Sequence, residues 1–172
     1  MMSGTTAGEK KNDTGRPART VTTGPVTRWL RRVTLVAAAA VTVWVLVRYP
    51  SVPDTVPVHF ATGGEADDWG SKSTVLWLSL IMLVAIGGIH WLSYHPDASF
   101  VNYPKRLTVV NAPAMYRAGE QMMVWLNAGL VVLYAGIAGA IMEGADILLF
   151  LIPGFILLGS GLVVGIVKMV RA

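Results

Sequence analysis

Apolar residues fall into four long blocks separated by polar stretches of very different length. The first runs from Val33 to Val47 between Arg31, Arg32 and Arg48; the others cover Thr74 to Tyr94, Gln121 to Met142 and Ile147 to Val167. None of the four contains a formally charged side chain. About 20 apolar residues in helical form cross a hydrocarbon core, and a helix satisfies its backbone hydrogen bonds internally there. The pattern predicts an all-α membrane protein with four transmembrane helices, at about 30–49, 74–94, 121–142 and 147–167. The first block is short, but Trp29, Leu30 and Tyr49 extend it, and its flanking arginines can snorkel to the headgroups. Basic residues ahead of Ala38-Ala39-Ala40 also fit a cleaved signal peptide. The long polar lead-in, and an apolar run that continues past the alanines, favour a signal anchor.

The polar stretches differ in character. Residues 1–27 are rich in Thr, Gly, Lys and Arg, with no periodic apolar face, and read as a disordered tail ahead of a membrane domain at 28–172. The loop 50–73 holds Pro50, Pro53 and Pro57, which stiffen its entry. Val56 to Phe60 alternates weakly as a short strand, Thr62-Gly63-Gly64-Glu65 is a turn signal, and Ser71 or Ser73 suits a cap on the second helix. A short folded loop is expected. In the loop 95–120, Pro96 ends the second helix and Asn102-Tyr103-Pro104-Lys105-Arg106 is a basic juxtamembrane run. Asn111-Ala112-Pro113 reads as a helix start that continues through Tyr116 and Arg117 into the third span. Glu143-Gly144-Ala145-Asp146 makes a tight turn between the last two spans.

Composition supports the membrane class. Hydrophobic residues form 53% of the chain and charged residues 14%, against about 25% charged in soluble domains. Of the 14 lysines and arginines, only Arg48 and Lys72 fall outside if both termini are cytoplasmic. Asp54, Glu65, Asp67, Asp68, Glu143 and Asp146 lie on that outer side. This bias sets the N- and C-termini in the cytoplasm and the 50–73 loop outside. It also accounts for the net charge of +4 without nucleic acid as a partner. The absence of cysteine removes disulfides, thiolate metal sites and a cysteine nucleophile.

Small residues mark helix contacts in lipid. Gly136 and Gly139 on the third span, with Gly161 and Gly165 on the fourth, predict either a close pair within the chain or the seam of a homodimer. Pro153 kinks the fourth helix or is tolerated near its start. His90 and Asn127 lie within about two turns of the inner surface. They serve interfacial hydrogen bonding, pair across helices, or belong to a polar path. In the outer loop His59, Phe60, Glu65, Asp67, Trp69 and Lys72 are the candidate residues for binding a ligand or partner. His59, Glu65, Asp67 and Asp68 carry the ligand types of a divalent metal site, but their spacing matches no strong motif; turn and capping roles fit better.

The run Val52-Pro53-Asp54-x-Val56-Pro57-Val58-His59-Phe60, followed by Gly63-Gly64-Glu65-Ala66-Asp67-x-Trp69-Gly70-Ser71-Lys72, resembles the bacterial membrane family called domain of unknown function 1648. Asn102-Tyr103-Pro104, with Thr108, Asn111 and Tyr116, is similar to that family's second motif, so the resemblance covers about residues 45–125. It implies a multi-pass protein of a bacterial plasma membrane and marks His59, Gly64, Glu65, Asp67, Trp69 and Lys72 without a chemical role. A distant relative in that family is the immunity protein against the sporulation-delaying toxic peptide, which is longer and carries a further membrane domain.

The resulting expectation is a binding or sensing membrane protein, immunity-like or signalling, that meets an extracytoplasmic peptide or envelope partner through the 50–73 loop. The alternative is a small transporter or an accessory subunit of a transport complex. An enzyme is not expected, because no zinc-protease, serine-elbow or phosphate-loop motif is present, and no cofactor is implied. No intramembrane carboxylate is expected, which counts against proton-coupled transport. The topology predicts that Ala61→Cys reacts with a membrane-impermeant maleimide in intact cells. Labelling only after lysis refutes it.

Overall fold

The computed structural model describes residues 12 and 15–172; of the tail expected over 1–27, residues 1–11, 13 and 14 lie outside the described residues. The elements are α1 (Pro25–Arg48), a 3-10 turn (Tyr49–Ser51), β1 (Thr55–Phe60), β2 (Ala66–Ser71), α2 (Ser73–Tyr94), α3 (Ala112–Glu143) and α4 (Leu148–Arg171). All four helices are long and apolar enough to cross a membrane. The bundle has two distinct ends. The β hairpin and the α3–α4 turn share one, where Arg48 on α1 meets Glu143 on α3 at 2.9 Å. The segment before α1, the α2–α3 loop and the C-terminus of α4 share the other.

The central helix is α3, which packs against α1, α2, α4 and β1. Its 32 residues measure about 48 Å at 1.5 Å per residue, well beyond a core of about 30 Å. The surplus stands at the end opposite the hairpin. Pro113 sits in the first turn, as the sequence predicts, and Asn111 is the N-cap residue. The Asn111 side chain does not cap the helix. It turns back to the loop, accepting from the Thr108 N–H at 2.8 Å and donating to the Arg106 carbonyl at 3.1 Å. At the far end Gly144 adopts φ 65°, and its N–H returns to the Ala140 carbonyl. That left-handed stop permits the tight turn into α4.

The glycines are used within the chain. A Cβ on Gly161 would lie 2.9 Å from Trp125 Cβ, and one on Gly165 would lie 2.6 Å from Met122 Cγ. Gly136 is closed by Phe150. Gly139 is looser, meeting only Ala145 at 3.5 Å. The α3–α4 contact therefore occupies the small-residue stripe expected for either a helix pair or a dimer seam. Pro153 lies inside α4, which continues past it to Arg171.

At the hairpin end β1 and β2 pair antiparallel, Thr55 opposite Ser71 and Phe60 opposite Ala66. The second strand was not expected, because Ala-Asp-Asp-Trp-Gly-Ser has little strand propensity. Packing supplies what propensity lacks. Val52 and Val56 are buried, and Val58 and Phe60 pack with them on Val45, Val75, Tyr134 and Ile141. Val58 lies over Gly70, where a Cβ would come within 2.9 Å of its Cγ1. Gly64, at φ 92°, makes the turn and rests against Leu148.

The tail expectation fails from Gly15 onward. Arg16 donates to the carbonyls of Ala98, Ser99 and Val101 at 2.7–2.8 Å, and Pro17 accepts from the Tyr116 hydroxyl at 2.9 Å. Hydrogen bonds, together with the burial of Pro17, order this segment.

The α3–α4 packing yields a test at Gly129, where a Cβ would meet Leu158 Cγ at 2.7 Å and the Gly154 backbone carbonyl at 3.0 Å. Gly129→Leu should lower stability by about 1–3 kcal/mol through overpacking. Thermal unfolding in detergent micelles reads it, with exposed Gly159→Leu as the neutral control.

Candidate functional site

Glu120 lies in the third turn of α3 and is 2% exposed. Its Oε1 accepts from Arg31 Nη2 and from the Thr23 hydroxyl, both at 2.6 Å; its Oε2 accepts from Arg19 Nη2 at 2.8 Å. The two arginines also reach the open C-terminus of α2. Arg31 donates to the Ser93 carbonyl at 2.8 Å and Arg19 to the Tyr94 carbonyl at 3.1 Å. The Arg31 guanidinium lies 3.8 Å from the centre of the Tyr94 ring. Two cations against one carboxylate leave a surplus positive charge, and the negative end of the α2 dipole faces it. One carboxylate thus ties the pre-α1 segment, α1, α2 and α3 together.

This clasp corrects one expectation. Arg31 does not snorkel to the headgroups; it is 3% exposed and turned into the bundle. A buried carboxylate is present, one residue before the apolar block that the sequence marks as the third span. Counting about 20 residues back from Glu143 places Glu120 just beyond the hydrocarbon, at headgroup depth. Deeper along the same interface, Asn127 donates to the Ile86 carbonyl at 3.2 Å rather than to His90. His90 stacks edge-on against Tyr94 with centroids 5.2 Å apart. Its Nδ1 and the Asn127 Oδ1 have no hydrogen-bond partner among the described residues.

The hairpin divides the expected binding residues into two groups. His59, Glu65, Asp67 and Trp69 are exposed, as is Asp68. His59 Nδ1 lies 2.6 Å from Asp67 Oδ1, brought there by register shifts that set His59 opposite Asp68 in the ladder. Phe60 and Lys72 are half-buried braces instead. Phe60 packs on the core beneath, and Lys72 Nζ holds Asp54 at 2.8 Å beside the Tyr49 ring. The Lys72 hydrogen bond and charge hold the Asp54 carboxyl below its ordinary range, while Asp54 raises the Lys72 ammonium. The four candidate metal ligands are not assembled. Asp68 accepts from the Trp69 N–H at 2.8 Å, and no three His, Asp or Glu side chains among the described residues come close enough to hold an ion.

The second sequence motif is architectural. The Tyr103 hydroxyl donates to the Pro96 carbonyl at 2.7 Å and packs edge-on against Tyr116. Burial pushes the Tyr103 phenol up from its ordinary value. Thr108 and Asn111 bond each other reciprocally. The residues that sequence reasoning missed are Glu120, Arg31, Arg19 and Thr23. Their signal was faint: a lone acid at the border of an apolar block, facing arginines far away in sequence.

A family model described as Domain of unknown function (DUF1648) matches residues 24–83, which take in α1, the hairpin and the first half of α2. Asn102 to Tyr116 lies outside that match. An uncharacterised protein of Archaeoglobus fulgidus is 31% identical over 103 residues, covering 57% of this chain and 55% of that protein. The chain thus spans about half the length of the curated relative it matches. No solved structure matches.

Glu120→Ala should leave Arg31 buried without its counter-charge and cost about 3–5 kcal/mol. Thermal unfolding of the detergent-solubilised protein checks this. The double variant Arg31→Met/Glu120→Met should recover most of the loss, since an apolar pair replaces a buried ion pair at little net cost. Equal loss in both variants refutes the assignment of the cost to a stranded charge.

Proposed function

We propose that this membrane protein is a recognition protein rather than an enzyme, and that the β1–β2 hairpin is its docking surface. In this reading the hairpin faces outward from a bacterial plasma membrane, with the N-terminus in the cytoplasm. The charge bias supports that orientation, because Arg48 and Lys72 are the only cationic Lys or Arg side chains between α1 and the end of α2. The observation that carries the reading is the division of the hairpin into a braced underside and an exposed polar face. Val52, Val56 and Phe60 fix it to the helix ends, while His59, Glu65, Asp67, Asp68 and Trp69 stand in solvent. A fixed backbone spares the ordering cost of a slack loop. The face is acidic with one large aromatic, which suits a cationic, amphipathic peptide or an envelope segment of that chemistry. An immunity-like or signalling role follows if the partner is a secreted peptide.

A second reading, transport or service as a subunit of a transport complex, is favoured by the polar track of Glu120, Arg31, His90 and Asn127 along the α1–α2–α3 interface. Within the spans themselves the track continues as His90 and Asn127, and polar groups at such depth mark pathways as well as packing.

A photo-reactive residue at Trp69 separates the two. In intact cells it should capture a discrete polypeptide, and Asp67→Asn with Glu65→Gln should weaken capture by about tenfold or more. Capture of lipid alone overturns the docking reading and moves the transport reading forward.

A further inference from the structure

We infer that the end of the bundle opposite the hairpin carries a binding site for one anionic phospholipid, in the groove between α3 and α4. Two adjoining concavities define it. The first is an apolar groove of about 270 Å³, lined by Met122, Trp125, Gly161, Val164 and Gly165. It opens, past Ala118, Gln121 and Lys168, into a second hollow of about 650 Å³ where Arg117, Lys168 and Arg171 gather. Among the described residues no aspartate or glutamate side chain lines either one. Glu120, the nearest acid along α3, is taken up by Arg19 and Arg31 of the clasp.

The shape follows from the packing. Gly161 and Gly165 draw α4 against Trp125 and Met122, and the missing side chains leave a furrow beside the contact. The cations follow from the last turn of α4, where Lys168 and Arg171 complement the helix dipole, and from Arg117 on the stretch of α3 that outruns the hydrocarbon. Lys168 is held over the furrow, its Nζ donating to Gln121 Oε1 at 3.0 Å. An apolar channel at membrane depth, ending in three cations at headgroup depth, complements an acyl chain joined to a phosphodiester. A zwitterionic lipid brings its own ammonium, quaternary in phosphatidylcholine, into the same cationic hollow, where like charges repel. The charge complementarity selects an anionic lipid over a neutral one. It also selects a lipid over a second copy of the chain, whose matching surface would bring the same three cations.

Trp125 lines the groove and reports its occupant. The full chain is reconstituted in phosphatidylcholine nanodiscs doped with lipid brominated on its acyl chain, either phosphatidylglycerol or phosphatidylcholine. Quenching of Trp125 is taken as the difference from Trp125→Phe. Half-maximal quenching is expected at about tenfold lower mole fraction of the brominated phosphatidylglycerol. The variant Arg117→Gln/Lys168→Gln/Arg171→Gln, all at exposed positions, should erase that difference. Val164→Phe should block quenching by filling the groove while leaving the cations intact. Equal quenching by the two lipids overturns the proposal, as does a preference that survives the triple substitution. Protection of Trp125 from both lipids shows a second copy over the groove instead. Loss of the preference on adding inorganic phosphate shows a site for a soluble anion; either result also overturns it.

Discussion

The organisation of the molecule depends on one buried carboxylate. Lipid tails are as apolar as the helices they surround, so apolar side chains alone do not choose one helix arrangement over another. Glu120 supplies that choice. Its two oxygens accept from three donors on two segments, and its arginine partners reach on to the end of a third helix. A register shift of one turn in α1 would part Arg31 from Glu120 and strand its guanidinium in the bundle. The penalty for a stranded charge exceeds the gain from the intact pair, so the clasp acts on specificity more than on stability.

With one end fixed this way, the bundle separates its tasks. The long helix α3 joins the two ends, offering Glu120 and Arg117 at one and Tyr134 and Ile141 as the seat of the hairpin at the other. The hairpin is small, and an isolated two-stranded sheet is marginal in water. Here its inward valines rest on the helix ends, which frees its outward side chains from any structural duty. The distribution of acids follows the same division. Those on the hairpin are solvated, Glu143 at the same end is half-exposed beside Arg48, and Glu120 at the far end of α3 is consumed by its partners.

What the sequence revealed was what local rules control. Four uncharged apolar blocks fix four spans, Asn111-Ala112-Pro113 marks the start of α3, and the paired glycines at 63 and 64 mark the hairpin turn. What it concealed was set by partners distant in sequence. Arg31 looks like an ordinary flanking charge until Glu120 stands beside it, and the segment from Gly15 to Gly24 looks unstructured because its order comes from arginine forks on loop carbonyls. Composition weighs apolar burial and is blind to such bonds. The strand β2 was hidden for a related reason, since its partner and the surface beneath it, not its own residues, make it a strand. Among the site residues, exposure divided a set that sequence had grouped by type, leaving Phe60 and Lys72 as braces.

The clasp also imposes an order of events during synthesis. Arg31 and Glu120 are 89 residues apart. At about 5–20 residues per second, α1 waits roughly 4–18 s after its own emergence before its counter-charge exists. During that interval the rest of α1, the hairpin and α2 are made, while the guanidinium of Arg31 is without the carboxylate that later pairs with it. Only the arrival of α3 withdraws it into the bundle. A chain halted between α2 and α3 therefore has a hairpin without its Tyr134 and Ile141 seat and an Arg31 without its acid.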